Sequence, residues 1–159
     1  MKFICSLIVV ENIAKSRLLY EGILHQKVLT DFGANVAFEG GFALHAKDHF
    51  ASLIGNKAIL KESNNFELYF EDDGIELLEK ELKANRFEFI HGIKEQPWKQ
   101  RVIRFYDYDR HIIEIGERME HVAFRLFADH MSLDEISAIT YLSKDAVERA
   151  IFEYTKKES

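Results

Sequence analysis

One cysteine and one proline occur among 159 residues, and the lone cysteine narrows the possibilities. Cys5 has no partner, so no internal disulfide can form. That suits a reducing cytoplasm, which is the expected compartment. Basic residues do not exceed acidic ones: 21 Lys+Arg stand against 27 Asp+Glu, a formal net charge of -6. No global positive field therefore favours nucleic acid or an anionic membrane. No apolar run approaches the ~18 residues of a membrane span. The opening MKFICSLIVV has the charged start and apolar stretch of a secretory signal. However, Glu11, Asn12 and Lys15 follow at once, with no small-residue cleavage site. A buried first strand is the expected reading. Gly-rich phosphate loops and nucleophile elbows are also missing.

What is present is an ordinary globular composition, 47% hydrophobic and 30% charged. It suits one domain with a real core and a small appendage. FICSLIVV (3–10) is β-branched and bounded by polar residues, which predicts a strand. Asn12 can cap a helix from Ile13 to about Glu21, with Gly22 placed to end it. A weak strand over 28–32 follows, then 35–39 and 42–46 flank Gly40-Gly41 as a hairpin. The pattern recurs in the second half. FELYF (66–70) is a strand, Asp72 or Asp73 can cap the helix that follows, and Asp73 with Glu76 makes a capping-box-like pair. Ile75, Leu78 and Leu82 share one helical face. FEFI (87–90), RVIRFY (101–106) and HIIEI (111–115) supply three more strands. Setting Asn12 on Asp72 gives an offset of 60 residues and brings Cys5 onto Asn65. Strand, helix, three strands, given twice, implies a duplicated module. The expected organisation is a domain over 1–117, with modules of about 1–60 and 61–117, and a helical extension over 118–159.

That extension contains three amphipathic stretches. Ser132 and Ser143 stand as N-caps, and Glu135 completes a capping box for the first. SLDEISAITYLSKDAVERAI resembles a helix-turn-helix, with Ile136, Leu142, Val147 and Ile151 at core positions. Tyr141 stands where that motif wants glycine. Residues 118–159 carry six Lys+Arg against eight Asp+Glu, a net -2, and Lys144, Asp145, Glu148 and Arg149 alternate on the reading face. Phosphate neutralisation dominates DNA affinity, so a nucleic-acid partner is not expected. Protein contact or dimer packing is the default use of these helices, they are expected to pack on the sheets, and a homodimer is expected.

Two further motifs carry a resemblance. VVENIAKSRLLYEGIL places Val10, Asn12, Ser16 and Tyr20, and PWKQRVIRFYDYDRHIIEI places Pro97, Trp98, Arg101, Asp107, Asp109, His111 and Glu114. In this order on this repeat, they resemble the vicinal oxygen chelate superfamily, which includes glyoxalase I, bleomycin-resistance proteins and extradiol dioxygenases. Two departures stand out. The turn that usually reads Asp-Pro-Asp-Gly is Asp107-Tyr108-Asp109-Arg110, and the glycine often found after the tryptophan is Lys99. The resemblance implies an α+β fold in which two strand-helix-three-strand modules form an open U-shaped barrel around a metal or ligand.

The family's metal positions fall on Cys5, Leu44 or His45, Asn65 and Glu114, and only Glu114 matches outright. A Lewis acid needs several strong donors converging, and a thiol beside a carboxamide is a poor set for a divalent first-row metal. No cofactor is therefore expected; if a divalent ion binds, Glu114 and His45 are its residues. Strand alternation leaves open whether Leu44 or His45 faces inward. The remaining histidines, His25, His49, His91, His121 and His130 among them, read as scattered surface or loop residues. The candidate ligand-binding residues are Glu114, Tyr69, Trp98, Glu67, Arg101 and His45. Tyr69 and Trp98 would stack on a planar ligand, and Glu114 or Arg101 would orient it. The plainer roles are Trp98 closing the core and Arg101 and Glu114 pairing with neighbours. Two readings stay open: a small-molecule binding protein of the glyoxalase/bleomycin-resistance type, and a divalent-metal-dependent glyoxalase-like lyase, isomerase or dioxygenase. The ligand positions favour the first.

Overall fold

A computed structural model describes the backbone of residues 1–158 and the side chains of residues 1–156. The first strand, β1 (Ser6–Val10), is followed by α1 (Ile13–Arg17), where the Asn12 side chain accepts from the Lys15 amide as a cap should. The helix then widens into a π turn over Leu18–Ile23 that buries Leu19, Tyr20 and Ile23. Gly22 lies inside this turn rather than ending it, and the chain reverses at His25, whose φ of 51° is left-handed. Strands β2 (Val28–Asp31), β3 (Asn35–Phe38) and β4 (Phe42–Ala46) complete the first sheet, in the order β1-β4-β3-β2. The β3–β4 hairpin turns at Gly41, whose φ of 81° explains the glycine there.

A helix that the sequence reading lacked, α2 (Lys47–Leu53), leaves β4 directly. Then β5 (Glu67–Glu71), α3 (Ile75–Ala84), β6 (Phe89–Glu95), β7 (Arg101–Tyr106) and β8 (Ile112–Gly116) repeat the pattern. The second sheet has the order β5-β8-β7-β6, the same permutation as the first. The expected capping pair of α3 is committed elsewhere. Asp73 holds Arg118 and Tyr154, and Glu76 holds Arg101.

The chain gathers into two compact units. One contains Met1–Glu67, Glu81–Glu88 and Tyr106–Ile112; the other contains Leu68–Lys80, Phe89–Phe105 and the chain from Ile113 onward. In the first, one face of the sheet carries Ile8, Val10, Phe42 and Leu44, all buried. Tyr20, Phe38 and Phe42 pack ring against ring there, with centroids 4.6–6.2 Å apart. In the second, Ile103, Phe105, Ile113 and Ile115 are essentially inaccessible and form the covered face of their sheet.

The C-terminal helices α4 (Met119–Ala128), α5 (Leu133–Thr140) and α6 (Lys144–Glu158) share a cluster of Val122, Ala123, Leu126, Ile136, Val147 and Ala150. The Ser132–Glu135 capping box forms in full, and the Ser143 hydroxyl accepts from the Ala146 amide. Between α5 and α6, Tyr141 takes the left-handed turn position (φ 60°) that a helix-turn-helix gives to glycine. Polar contacts tie these helices to their own unit. Arg125 donates to the Lys99 carbonyl at 2.7 Å, and the Tyr154 hydroxyl donates to Asp73 at 2.6 Å. Among the described residues no helix is long and apolar enough to cross a membrane.

Candidate functional site

Strand alternation sorts β7 into two sets. Arg101, Ile103 and Phe105 face α3, as the Arg101–Glu76 ion pair confirms, and Val102, Arg104 and Tyr106 face the other way. On β8 the same rule places Ile113 and Ile115 in the core and puts Glu114 on the opposite face with Gly116. There Glu114, buried, is ion-paired with Arg104. Arg104 lies opposite His91 of β6 in the ladder and donates toward the His91 Nε2 at 3.4 Å. The His91 Nδ1 is 2.8 Å from the Gly92 carbonyl oxygen, which assigns the ring proton to Nδ1 and leaves Nε2 to accept. A row of carboxylate, guanidinium and imidazole thus crosses three strands on one face.

Two residues along from Glu114, about 7 Å by strand rise, Gly116 makes room for a second group. A Cβ there would lie 2.7 Å from the Gln100 Nε2 and 3.1 Å from the Tyr69 ring. Gln100 occupies that space and orders the aromatics. Its amide donates to the Tyr69 hydroxyl at 2.9 Å and to the Glu117 carbonyl at 2.8 Å, and it accepts from the Trp98 indole at 3.0 Å. The Tyr69 hydroxyl also donates to Glu71. Burial, opposed by the Gln100 bond and aided by Glu71, pushes the Tyr69 phenol up to about 12. Trp98 and Tyr69 remain 37% and 46% exposed, and exposed Glu67 shares the Tyr69 face by alternation.

So Glu114, Tyr69 and Trp98 share one unit, linked through Gly116 and Gln100, while Arg101 does not join them. Arg101 is engaged by Glu117, which is fully buried, and by Glu76. The sequence pattern did not single out Gln100 or Arg104, and His91 read as a scattered surface or loop residue. The spacing of RVIRFY carried the signal, because arginines three apart on a strand face opposite ways.

In the other unit alternation decides between Leu44 and His45. Leu44 lies with Phe42 in the core, and His45 faces away from it. The His45 Nε2 is 2.9 Å from the His49 Nδ1, and its ring meets Phe50 edge-on. Burial, and then the neighbouring His49 charge, lower the His45 pKa. His49 is therefore not an isolated surface histidine: helix α2 brings it onto His45, four residues back.

Within the first unit the family's metal positions do not converge. His45 lies opposite Val9 in the β1–β4 ladder, whereas Cys5 precedes Ser6, so the two stand about 13 Å apart along the strands. Metal donors sit about 2 Å from their ion. Asn65 precedes β5 in an irregular segment, and Glu114 is committed to Arg104. Among the described residues no group of three His, Cys, Asp or Glu could hold a metal ion.

Comparison with known proteins agrees with this topology. Residues 3–120 match the family model of the glyoxalase-like domain. A crystal structure of a protein of unknown function from Agrobacterium tumefaciens is 37% identical, over 74% of this chain and 94% of that one, with a TM-score of 0.66. The fold is shared with a glyoxalase/bleomycin resistance protein/dioxygenase family enzyme from Burkholderia phytofirmans, 14% identical over 74% and 98% of the two chains, TM-score 0.62. It is shared too with a fosfomycin resistance protein from Mesorhizobium loti, 15% identical over 72% and 89%, TM-score 0.54. No curated protein matches the chain. Helices α5 and α6 lie beyond the family match, which ends at residue 120. With the repeated strand order and a family match across most of its length, the chain belongs to the glyoxalase-like family.

Proposed function

We propose that this protein binds a small organic molecule on the face of its second sheet that carries Glu114, as a binding protein of the glyoxalase/bleomycin-resistance type. The observation that carries the reading is the Glu114–Arg104–His91 row beside the ordered Trp98–Gln100–Tyr69 edge. A buried carboxylate holding a guanidinium fixes a planar fork that can meet an acceptor group on a ligand. Two partly exposed aromatic rings nearby suit a planar body. Glu114 thus positions Arg104, and the ligand best matched is a planar aromatic molecule with a carboxylate or similar acceptor.

The same reading places the protein in the cytoplasm as a homodimer. Cys5 as the single cysteine supports the first. The second is supported by an apolar cavity of about 400 Å³ on the C-terminal helices, lined by Phe127, Leu133, Ile151 and Phe152. Sedimentation at micromolar protein tests the dimer.

Trp98 is the only tryptophan in the chain, so its fluorescence reports on this face alone. Titration with a panel of planar aromatic carboxylates is expected to give a saturable change in the wild type. Glu114→Gln should weaken it about tenfold, the cost of one charge-assisted contact. A panel without any saturable response, or an unchanged affinity in Glu114→Gln, would remove this reading.

A further inference from the structure

The first unit contains a cavity of about 180 Å³ whose apolar wall is formed by Leu7, Ile59, Leu60 and Phe66 and whose polar end includes Lys61 and His111. The imidazole is not loosely placed. Its Nδ1 is 2.9 Å from Asp107, a buried carboxylate that also accepts from the Tyr20 hydroxyl at 2.8 Å and from the amides of Asp109 and His111 at 2.9 and 2.8 Å. The two amide bonds are the ordinary chemistry of a tight turn. The chain Tyr20–Asp107–His111 goes beyond that, because a turn does not need an imidazole. A carboxylate on Nδ1 sets the ring's tautomer and orientation, and His111 lines the cavity.

The charge around this end is mixed, with Glu11 and Asp109 beside Lys47, Lys61 and His111. Lys47 and Lys61 both converge on a single oxygen of Glu11, at 2.6 and 2.9 Å, so two ammonium groups share one acceptor. Asp109, which also lines the cavity, spends one oxygen on the Glu11 amide at 2.9 Å. Burial, partly offset by that amide bond and aided by the Asp107 charge, raises the Asp109 pKa. The loop forming the apolar wall is pinned in place. Arg110 holds Glu62 at 2.8 Å, the Tyr106 hydroxyl donates to Asn64 at 3.0 Å, and Glu62 and Asn64 both take left-handed conformations (φ 53°). A cavity held open before binding loses less freedom when filled.

We propose that this cavity is a second ligand site, taking a short aliphatic carboxylate with its head group between His111 and Lys61 and its chain against Leu60 and Phe66. The carboxylate could belong to a simple branched acid or to an aliphatic amino acid, whose ammonium group would then meet Asp109.

The test is a titration of the ¹⁵N-labelled full-length chain with 4-methylpentanoate, L-leucine and 3-methylbutylamine, followed by amide shifts. Saturable shifts at Leu7, Leu60, Lys61 and His111 are expected with 4-methylpentanoate and none with the amine. Tighter binding of L-leucine would identify an amino acid as the source, and weaker binding a plain acid; either bears the site out. Lys61→Met, at a half-exposed position that spares the fold, should weaken the acid about tenfold, as should His111→Asn. Absence of saturation with both acids, equal binding of the amine, or an unchanged affinity in Lys61→Met would overturn the proposal. Shifts confined to Trp98, Gln100 and Glu114 would also overturn it, because they would assign the acid to the second sheet instead. The site is independent of the Trp98 face, whose fluorescence should not respond to 4-methylpentanoate.

Discussion

The two sheets have the same strand order and opposite internal chemistry. The first is organised around rings: Tyr20, Phe38 and Phe42 fill its covered face, and its other face presents His45 against His49. The second is organised around charge: Arg104 with Glu114 on one face, and Arg101, Arg125 and His121 around the fully buried Glu117. A duplicated topology therefore fixes where strands run without fixing what they carry. Function has to be argued from each face separately.

The largest expected effects come from removing each organiser. Glu117→Ala leaves Arg101 and Arg125 without their buried partner and should cost about 3–5 kcal/mol. Phe38→Ala should cost about as much, roughly 3–5 kcal/mol, through lost burial and a cavity. The two should differ in kind. Glu117→Gln, which keeps the shape and one acceptor, should recover part of the first loss, whereas only another large apolar residue should recover the second. Chemical denaturation of Glu117→Ala, Glu117→Gln, Phe38→Ala and Phe38→Leu would measure this. A Glu117→Ala cost below about 1 kcal/mol, the level of an exposed pair, would erase the contrast.

Much of the fold was legible because it rests on local rules. The Asn12 and Ser132 caps, the Gly40-Gly41 turn and the twice-given order of elements all follow from short-range chemistry. The site was less legible, because side-chain partners depend on register across strands. Glu114 was identifiable from a motif, but its pairing with Arg104 needed the β6–β7–β8 alignment, and His49 reached His45 only through a helix with no side-chain cap. Three departures from motif are instructive. Lys99, Arg110 and Tyr141 stand where glycine was expected, and all three keep the left-handed backbone, at φ 70°, 72° and 60°. The turn geometry persisted after the residue changed.

That persistence supplies a smaller prediction, of opposite sign. A left-handed conformation costs a non-glycine residue about 1–2 kcal/mol, and glycine returns part of the gain as unfolded-state freedom. Tyr141, 87% exposed, is the cleanest test. Tyr141→Gly should stabilise the chain by up to about 1 kcal/mol, and a destabilised variant would show that the ring has a folded-state partner.

The smallest effect is in pH. Burial opposes the His111 charge, but the bond and charge of Asp107 outweigh it and raise the His111 pKa above 6.5. Burial likewise opposes the Asp107 charge, but His111, its backbone amide and Tyr20 hold the Asp107 pKa below 3.8. The histidine's contribution is thus present below pH 6.5 and lost as pH rises through its raised value. The aspartate's is present above pH 3.8 and lost as pH falls through its lowered value. Denaturation midpoints should therefore slope downward above pH 6.5. His111→Asn should flatten that limb and also weaken the acid limb, because His111 helps hold the Asp107 pKa down.

The central claim is that, in a chain of the glyoxalase-like family, Glu114 serves Arg104 and a ligand rather than a metal ion. Metal content tests it most directly, measured on protein purified without an affinity tag, wild type beside Glu114→Gln. Background metal in both samples, together with weakened ligand titration in the variant, is the predicted result. Stoichiometric divalent metal in the wild type, lost on Glu114→Gln, would contradict it.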